Sequence, residues 1–176
     1  MNRQEFLELS KALVGGLAIH GVFGQSAQAQ LPSGSRTLEG HNDDNFYLAK
    51  GLTGMARAGG WFDAHWGAAV LAGYYLCKEN DLGEKTTVAI KTQLNAMIGL
   101  RESQFALFPR EAVDKALIED VPKALVPAIS DGLRAHGHAV IFASLSTKAL
   151  RDAPHMAQPR LIQGLCGLSQ QIARIN

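Results

Sequence analysis

The sequence predicts an all-α protein, either a helical bundle or a short array of helical hairpins. Apolar residues recur at helical spacing through most of the chain after residue 45, and no run shows sustained strand alternation. Two stretches, residues 63–79 and 138–151, are nearly free of charge and rich in glycine, alanine and serine. A helix without a polar face needs covering on all sides, and small residues let its neighbours approach closely. We therefore expect two charge-poor central helices with amphipathic helices around them.

The N-terminal segment, residues 1–29, reads as an export signal. A short charged start precedes an apolar run from Ala12 to Phe23, and Ala27-Gln28-Ala29 supplies the small-x-small pattern of a cleavage site. The run is too short to span a hydrocarbon core of roughly 30 Å. The opening "NRQEFLEL" resembles a twin-arginine (Tat) signal at Arg3, Phe6 and Leu7, with Gln4 in place of the second arginine and Glu8 where a lysine is usual. The expected mature chain begins near Gln30, carries no transmembrane span, and is periplasmic or otherwise extracytoplasmic. Residues 30–45 form a polar linker, and residues 46–176 a single all-α domain.

Within that domain, Leu48, Leu52, Met55 and Ala56 share one helical face, closed by Gly59-Gly60. The first charge-poor helix runs from about Asp63 to Glu79. An amphipathic helix follows near Lys85–Leu100, with Ile90, Leu94, Met97 and Ile98 on its stripe. Pro109 is expected to open a further helix lined by Ala112, Ala116, Leu117 and Val121, with Pro122 and Pro127 interrupting the segment after it. The second charge-poor helix occupies residues 138–151. The last starts near Pro159 and sets Leu161, Leu165, Leu168, Ile172 and Ile175 along a narrow seam. A faint duplication runs through this plan. An ungapped register pairs Lys50 with Lys123, Leu52 with Leu125, Gly59 with Gly132 and His65 with His138. A register shifted by two pairs Ala64-His65 with Ala135-His136 and Asp81 with Asp152. Both stay open at the level of sequence.

Bulk charge narrows the function. The net charge is +1, from 17 basic and 16 acidic side chains, and aromatic residues are 7% of the chain. Neither a basic field for a phosphate backbone nor stacking platforms for bases are available, so nucleic acid is not an expected partner. A small molecule or an envelope protein is. No Gly-rich phosphate loop, nucleophile elbow, CxxC or HExxH occurs, and no cofactor is indicated.

Chemistry could reside at the starts of the two charge-poor helices. Asp63 and His65 open one; His136 and His138 open the other. If both helices present their N-termini to the same end of the bundle, these side chains meet beside free backbone N–H groups. Trp61, Trp66 and Tyr74 are candidate apolar walls. Against this, Asp63 is a good N-cap on its own account. His136 and His138 face one metal only if the helix starts after them, so no metal is expected there. The loop at His41, Asp43 and Asp44 reads as a solvated turn. Cys77 and Cys166 can pair in an oxidising compartment, although both lie in apolar helical context, where free cysteine acts as a small hydrophobe.

The segment "DVPKALVPAISDGLRAHGHAVIFASLSTKALRDAP", residues 120–154, resembles the questin oxidase-like family of helical oxidoreductases. The resemblance rests on a proline-interrupted helix followed by a histidine, His138, opening a small-residue helix that ends in Ala149-Leu150; His65 is its earlier echo. Ala64 stands where the family has an asparagine, and the family's members are longer. The resemblance implies a small-molecule oxidoreductase with a His-lined pocket. Without a motif of high specificity, the residues favour an exported, non-catalytic helical binding or scaffold protein of the cell envelope, with the oxidoreductase as the alternative. Geometry separates the two: imidazoles of His65 and His138 converging within roughly 10 Å on a reachable cavity favour a site, whereas histidines each bonded to a local carbonyl count against one.

Overall fold

The computed structural model describes residues 43–175, with side chains from residue 45 onward. The export signal, most of the linker and His41 lie outside the described residues, as do the side chains of Asp43 and Asp44. Among the described residues there are six α-helices and no strand: α1 (Asp43–Ala56), α2 (Ala64–Glu79), α3 (Gly83–Leu100), α4 (Asp120–Ile129), α5 (His138–Asp152) and α6 (Pro159–Ala173). Short 3₁₀ turns at Lys115–Glu119, Arg134–Gly137 and Pro154–Met156 join the later ones. The all-α expectation is met. None of these helices is long and apolar enough to cross a membrane.

The most enclosed helix is α1, where no residue from Phe46 to Ala56 is exposed. Glycine explains this. A methyl group on Gly67 of α2 would collide with the backbone of Gly51 and Met55 in α1. One on Gly51 would lie 2.5 Å from the Leu71 Cγ, and one on Gly54 2.5 Å from a Phe105 ring carbon. The α1–α2 contact is therefore backbone against backbone, and dispersion contacts are gained along the whole approach. On its other side α1 meets α6, where a methyl on Gly164 would come within 2.6 Å of the Ala56 carbonyl. Leu52, Met55 and Ile172 close this centre completely.

The two charge-poor helices lie inside the bundle side by side, yet each keeps a strip facing solvent: Ala69, Ala72 and Leu76 on α2, and Ile141, Ser144 and Lys148 on α5. Three of these side chains, Ala69, Ala72 and Ser144, are small and cost little to leave wet, whereas Leu76 and Ile141 are large apolar groups left about half exposed. They run parallel. Near their starts the His65 and His138 ring centroids are 4.7 Å apart, and near their ends the Lys148 ammonium sits 4.5 Å from the Tyr75 ring centre.

One expected helix does not form. Pro109 opens nothing, and residues 106–114 run as a non-helical strap. The strap is held by partners far along the chain. The Asp114 N–H donates to the Ala157 carbonyl at 2.9 Å, the Glu111 N–H to Gln158 Oε1 at 3.1 Å, and Glu111 Oε2 accepts from the Arg160 N–H at 2.8 Å. Helix geometry resumes only after Asp114 caps the 3₁₀ turn through Ala116 N–H. Pro122 then falls in the first turn of α4, where its missing N–H would lack an intrahelical partner anyway. Pro127 lies inside α4, which ends two residues later. The seam on α6 is buried as expected at Leu161, Leu165, Leu168 and Ile172, although it serves α1, α4 and α5 rather than one neighbour.

The ungapped duplication register matches the structure. His65 is the second residue of α2 and His138 the first of α5, and these helices end at the paired acids Glu79 and Asp152. The contacts between α2 and α5 are reciprocal in that register. Tyr75 Oη donates to Asp152 at 3.0 Å, and Lys148, which the register pairs with Tyr75, bonds Glu79 at 2.8 Å. Such swapped pairs are the signature of a two-fold relation.

Candidate functional site

The loop before α2 and the 3₁₀ turn before α5 deliver the two histidines to one place. His65 closes its turn through both its backbone N–H (3.3 Å) and its ring Nδ1 (2.9 Å), each on the Phe62 carbonyl. His138 repeats this on the Ala135 carbonyl with its N–H and Nδ1. A carbonyl only accepts, so each Nδ1 carries its proton. The way the second turn is made differs. Ala135 (φ 45°), His136 (φ 55°) and Gly137 (φ 80°) are three successive left-handed residues, a conformation that costs a non-glycine residue roughly 1–2 kcal/mol.

The rings form an aromatic cluster. His65 and His138 meet at an interplanar angle of 61°. Trp61 lies 5.7 Å from His65 and 5.0 Å from His138, centroid to centroid. Phe142, one turn into α5, is 5.3 Å from His65 and 5.8 Å from His138, and Phe62 is 5.5 Å from His65. Edge-to-face packing at these separations is favourable. Both histidines are half-buried.

Of the expected site residues, His65 and His138 come together and Trp61 joins them. His136 does not: its left-handed backbone turns it outward, and it is exposed. Asp63 stands just before α2 but its side chain makes no cap hydrogen bond, because its own backbone is already helical (φ −68°, ψ −25°). Its carbonyl instead accepts from Gln104 Nε2 at 3.0 Å. Trp66 is buried under Arg101, whose guanidinium lies 4.9 Å from its ring. Tyr74 sits nearly three turns along α2, beside Tyr47 and Tyr75. Phe62 and Phe142 were missed; their positions three before His65 and four after His138 are the helical signal that points to them. No group of three metal-binding side chains occurs among the described residues.

Elsewhere Cys77 and Cys166 are free thiols, and burial first, then the Asp120 carboxylate, pushes the Cys166 thiol up. Burial, helped by the bond to Asp152, pushes the Tyr75 phenol far above its ordinary range. Two cavities are described, neither lined by the histidines. One, of about 540 Å³, is an open groove between α4 and α5. The other, about 150 Å³, lies under the strap beside Thr53, Phe108 and Met156.

No protein-family model, curated protein or solved structure matches this chain.

Proposed function

We propose that this is a non-catalytic helical binding or scaffold protein, exported to the cell envelope, in which His65 and His138 lock two parallel helices together. The observation that carries this reading is the pair of bonds from Nδ1 to a carbonyl three residues upstream. Each imidazole spends its proton on closing its own turn, and its faces and edges on aromatic neighbours. The export half rests on the apolar run and the Ala27-Gln28-Ala29 site of the first 29 residues. The test is native mass spectrometry of protein purified from its own compartment, comparing wild type with the H65F/H138F double variant. A structural lock leaves any co-purified small molecule or protein in place. Its loss from a double variant that still unfolds cooperatively overturns the reading.

A second reading keeps the small-molecule oxidoreductase, with His65 and His138 as orienting or acid/base groups. What favours it is the left-handed turn at Ala135 and His136 immediately before His138, since backbone strain gathers at functional sites, together with the approach of the two rings. Turnover that disappears in either single His→Phe variant, with the fold intact, would establish this reading over the first.

A further inference from the structure

The groove between α4 and α5 has a filled counterpart in the same molecule. In the register that sets His65 on His138, groove residues Leu125, Ala143, Ser144 and Thr147 correspond to Leu52, Val70, Leu71 and Tyr74. All four of the latter are buried, three of them completely. Where α2 places the bulk of Leu71 and Tyr74, α5 offers Ser144, which is exposed, and Thr147, which is half-buried. Neither hydroxyl has a hydrogen-bond partner among the described residues, in contrast to Ser146, whose hydroxyl donates to the Phe142 carbonyl at 2.7 Å.

The filled half also shows what chemistry suits the space. The Tyr74 ring packs between α1 and α2, and Lys78 caps it. The ammonium donates to the phenol oxygen at 2.9 Å and lies 5.3 Å from the ring centre. The residue that corresponds to Lys78 is Arg151, so α5 keeps the cation and lacks the ring. Arg151 is engaged only at 3.4 Å by Glu119, with both side chains about three-fifths exposed. Such a pair is weak and readily exchanged. The other groove charges are occupied: Lys148 is held by Glu79 over the Tyr75 ring, and Asp152 accepts from Tyr75. A guanidinium fork held this loosely favours a planar carboxylate, which it grips through two parallel bonds. The groove volume of about 540 Å³ lies within the range of small-molecule sites.

We propose that the α4–α5 groove binds a small arene carboxylate, its ring against Pro122, Leu125 and Ala143, its carboxylate on Arg151. The ligand supplies the aromatic bulk that Tyr74 supplies in the other hairpin. This inference rests on the binding-protein reading and names the ligand class. The experiment is calorimetric titration of the full mature chain with 2-naphthoate and, as the neutral control, 2-naphthylmethanol. Wild type binds naphthoate saturably and the alcohol roughly tenfold more weakly or worse. Arg151→Met weakens naphthoate by roughly tenfold or more. Thr147→Tyr, which fills the groove from within, abolishes binding while the melting temperature holds or rises. The absence of saturable naphthoate binding to folded wild type overturns the proposal. So does equal affinity for the alcohol, or unchanged affinity in T147Y. Loss of naphthoate in H65F/H138F with retention in T147Y places the ligand at the histidines. That result overturns the groove and the structural-lock reading together, whereas failure in the groove variants alone leaves the lock standing.

Discussion

The hairpin α1–α2 and the hairpin α4–α5 follow one plan, yet only the first is closed. In the register that pairs their histidines, the three glycines that let α1 and α2 touch, Gly51, Gly54 and Gly67, are replaced by Ala124, Pro127 and Val140. Each replacement adds atoms where the first hairpin has backbone contact. With Ser144 and Thr147 in place of Leu71 and Tyr74, the space between the second pair of helices stays open. A few missing or added side-chain atoms thus separate a core from a groove, which follows from how steeply dispersion energy falls with a gap of an ångström.

Exchanging residues between the hairpins should break this contrast, most severely at the glycines. Gly67→Val places a branched side chain on the backbone of Met55 and Gly51, and we expect a loss of more than about 3 kcal/mol or no folding at all. The mirror change, Val140→Gly, costs only about 1 kcal/mol, from helix propensity and the loss of a half-buried side chain together. Urea unfolding followed by circular dichroism reads both. Next, Leu71→Ser should cost about 3 kcal/mol, because it opens a cavity and buries a hydroxyl. Ser144→Leu should gain about 0.5 kcal/mol by covering apolar groove wall; equal losses for the two would mean that the groove is packed after all.

The turns before the two histidines differ in the same spirit. Ala135→Gly should raise stability by roughly 1 kcal/mol, since glycine accepts the left-handed backbone that alanine resists. The two halves of the reciprocal pair should differ in turn. Tyr75→Phe gives up one half-buried hydrogen bond to Asp152, about 1 kcal/mol, while Lys148→Met, at an exposed ion pair, leaves the melting temperature unchanged. The Tyr75 phenol titrates above its ordinary value of 10.0 in the fold. The folded state therefore holds this proton more tightly than the unfolded chain. Its contribution is complete below the unfolded value and fades as pH rises beyond it. Stability curves of wild type and Y75F should accordingly converge at strongly alkaline pH.

Much of this was readable from the residues. Helical spacing alone placed α2, α3, α5 and α6 to within two residues at nearly every end, and small residues after His65 and His138 marked the helices that lie together. Three things were not readable. The strap at 106–114 has no local signal, because Glu111 and Asp114 bond to Gln158, Arg160 and Ala157 far along the chain. The enclosure of α1 depends on which side of Gly51 and Gly54 the second helix approaches, and spacing cannot give that. The fate of the four candidate site residues turned on backbone angles. His65 and His138 met because each fell on the first residue inside or at the start of a helix, while left-handed geometry sent His136 to solvent and helical geometry denied Asp63 its cap.

The parallel course of α2 and α5 has an electrostatic consequence. Antiparallel neighbours cancel their peptide dipoles, but these two add, giving one doubled macrodipole with its positive pole at the histidine end. Neither helix carries an acidic residue in its first turn, while at the negative pole Lys78 and Arg151 are each followed by an acid, Glu79 and Asp152. The last turns thus add almost no net charge at the negative pole, and the positive pole, where His65 and His138 stack, is met by carbonyls, rings and Asp63 at the start of α2.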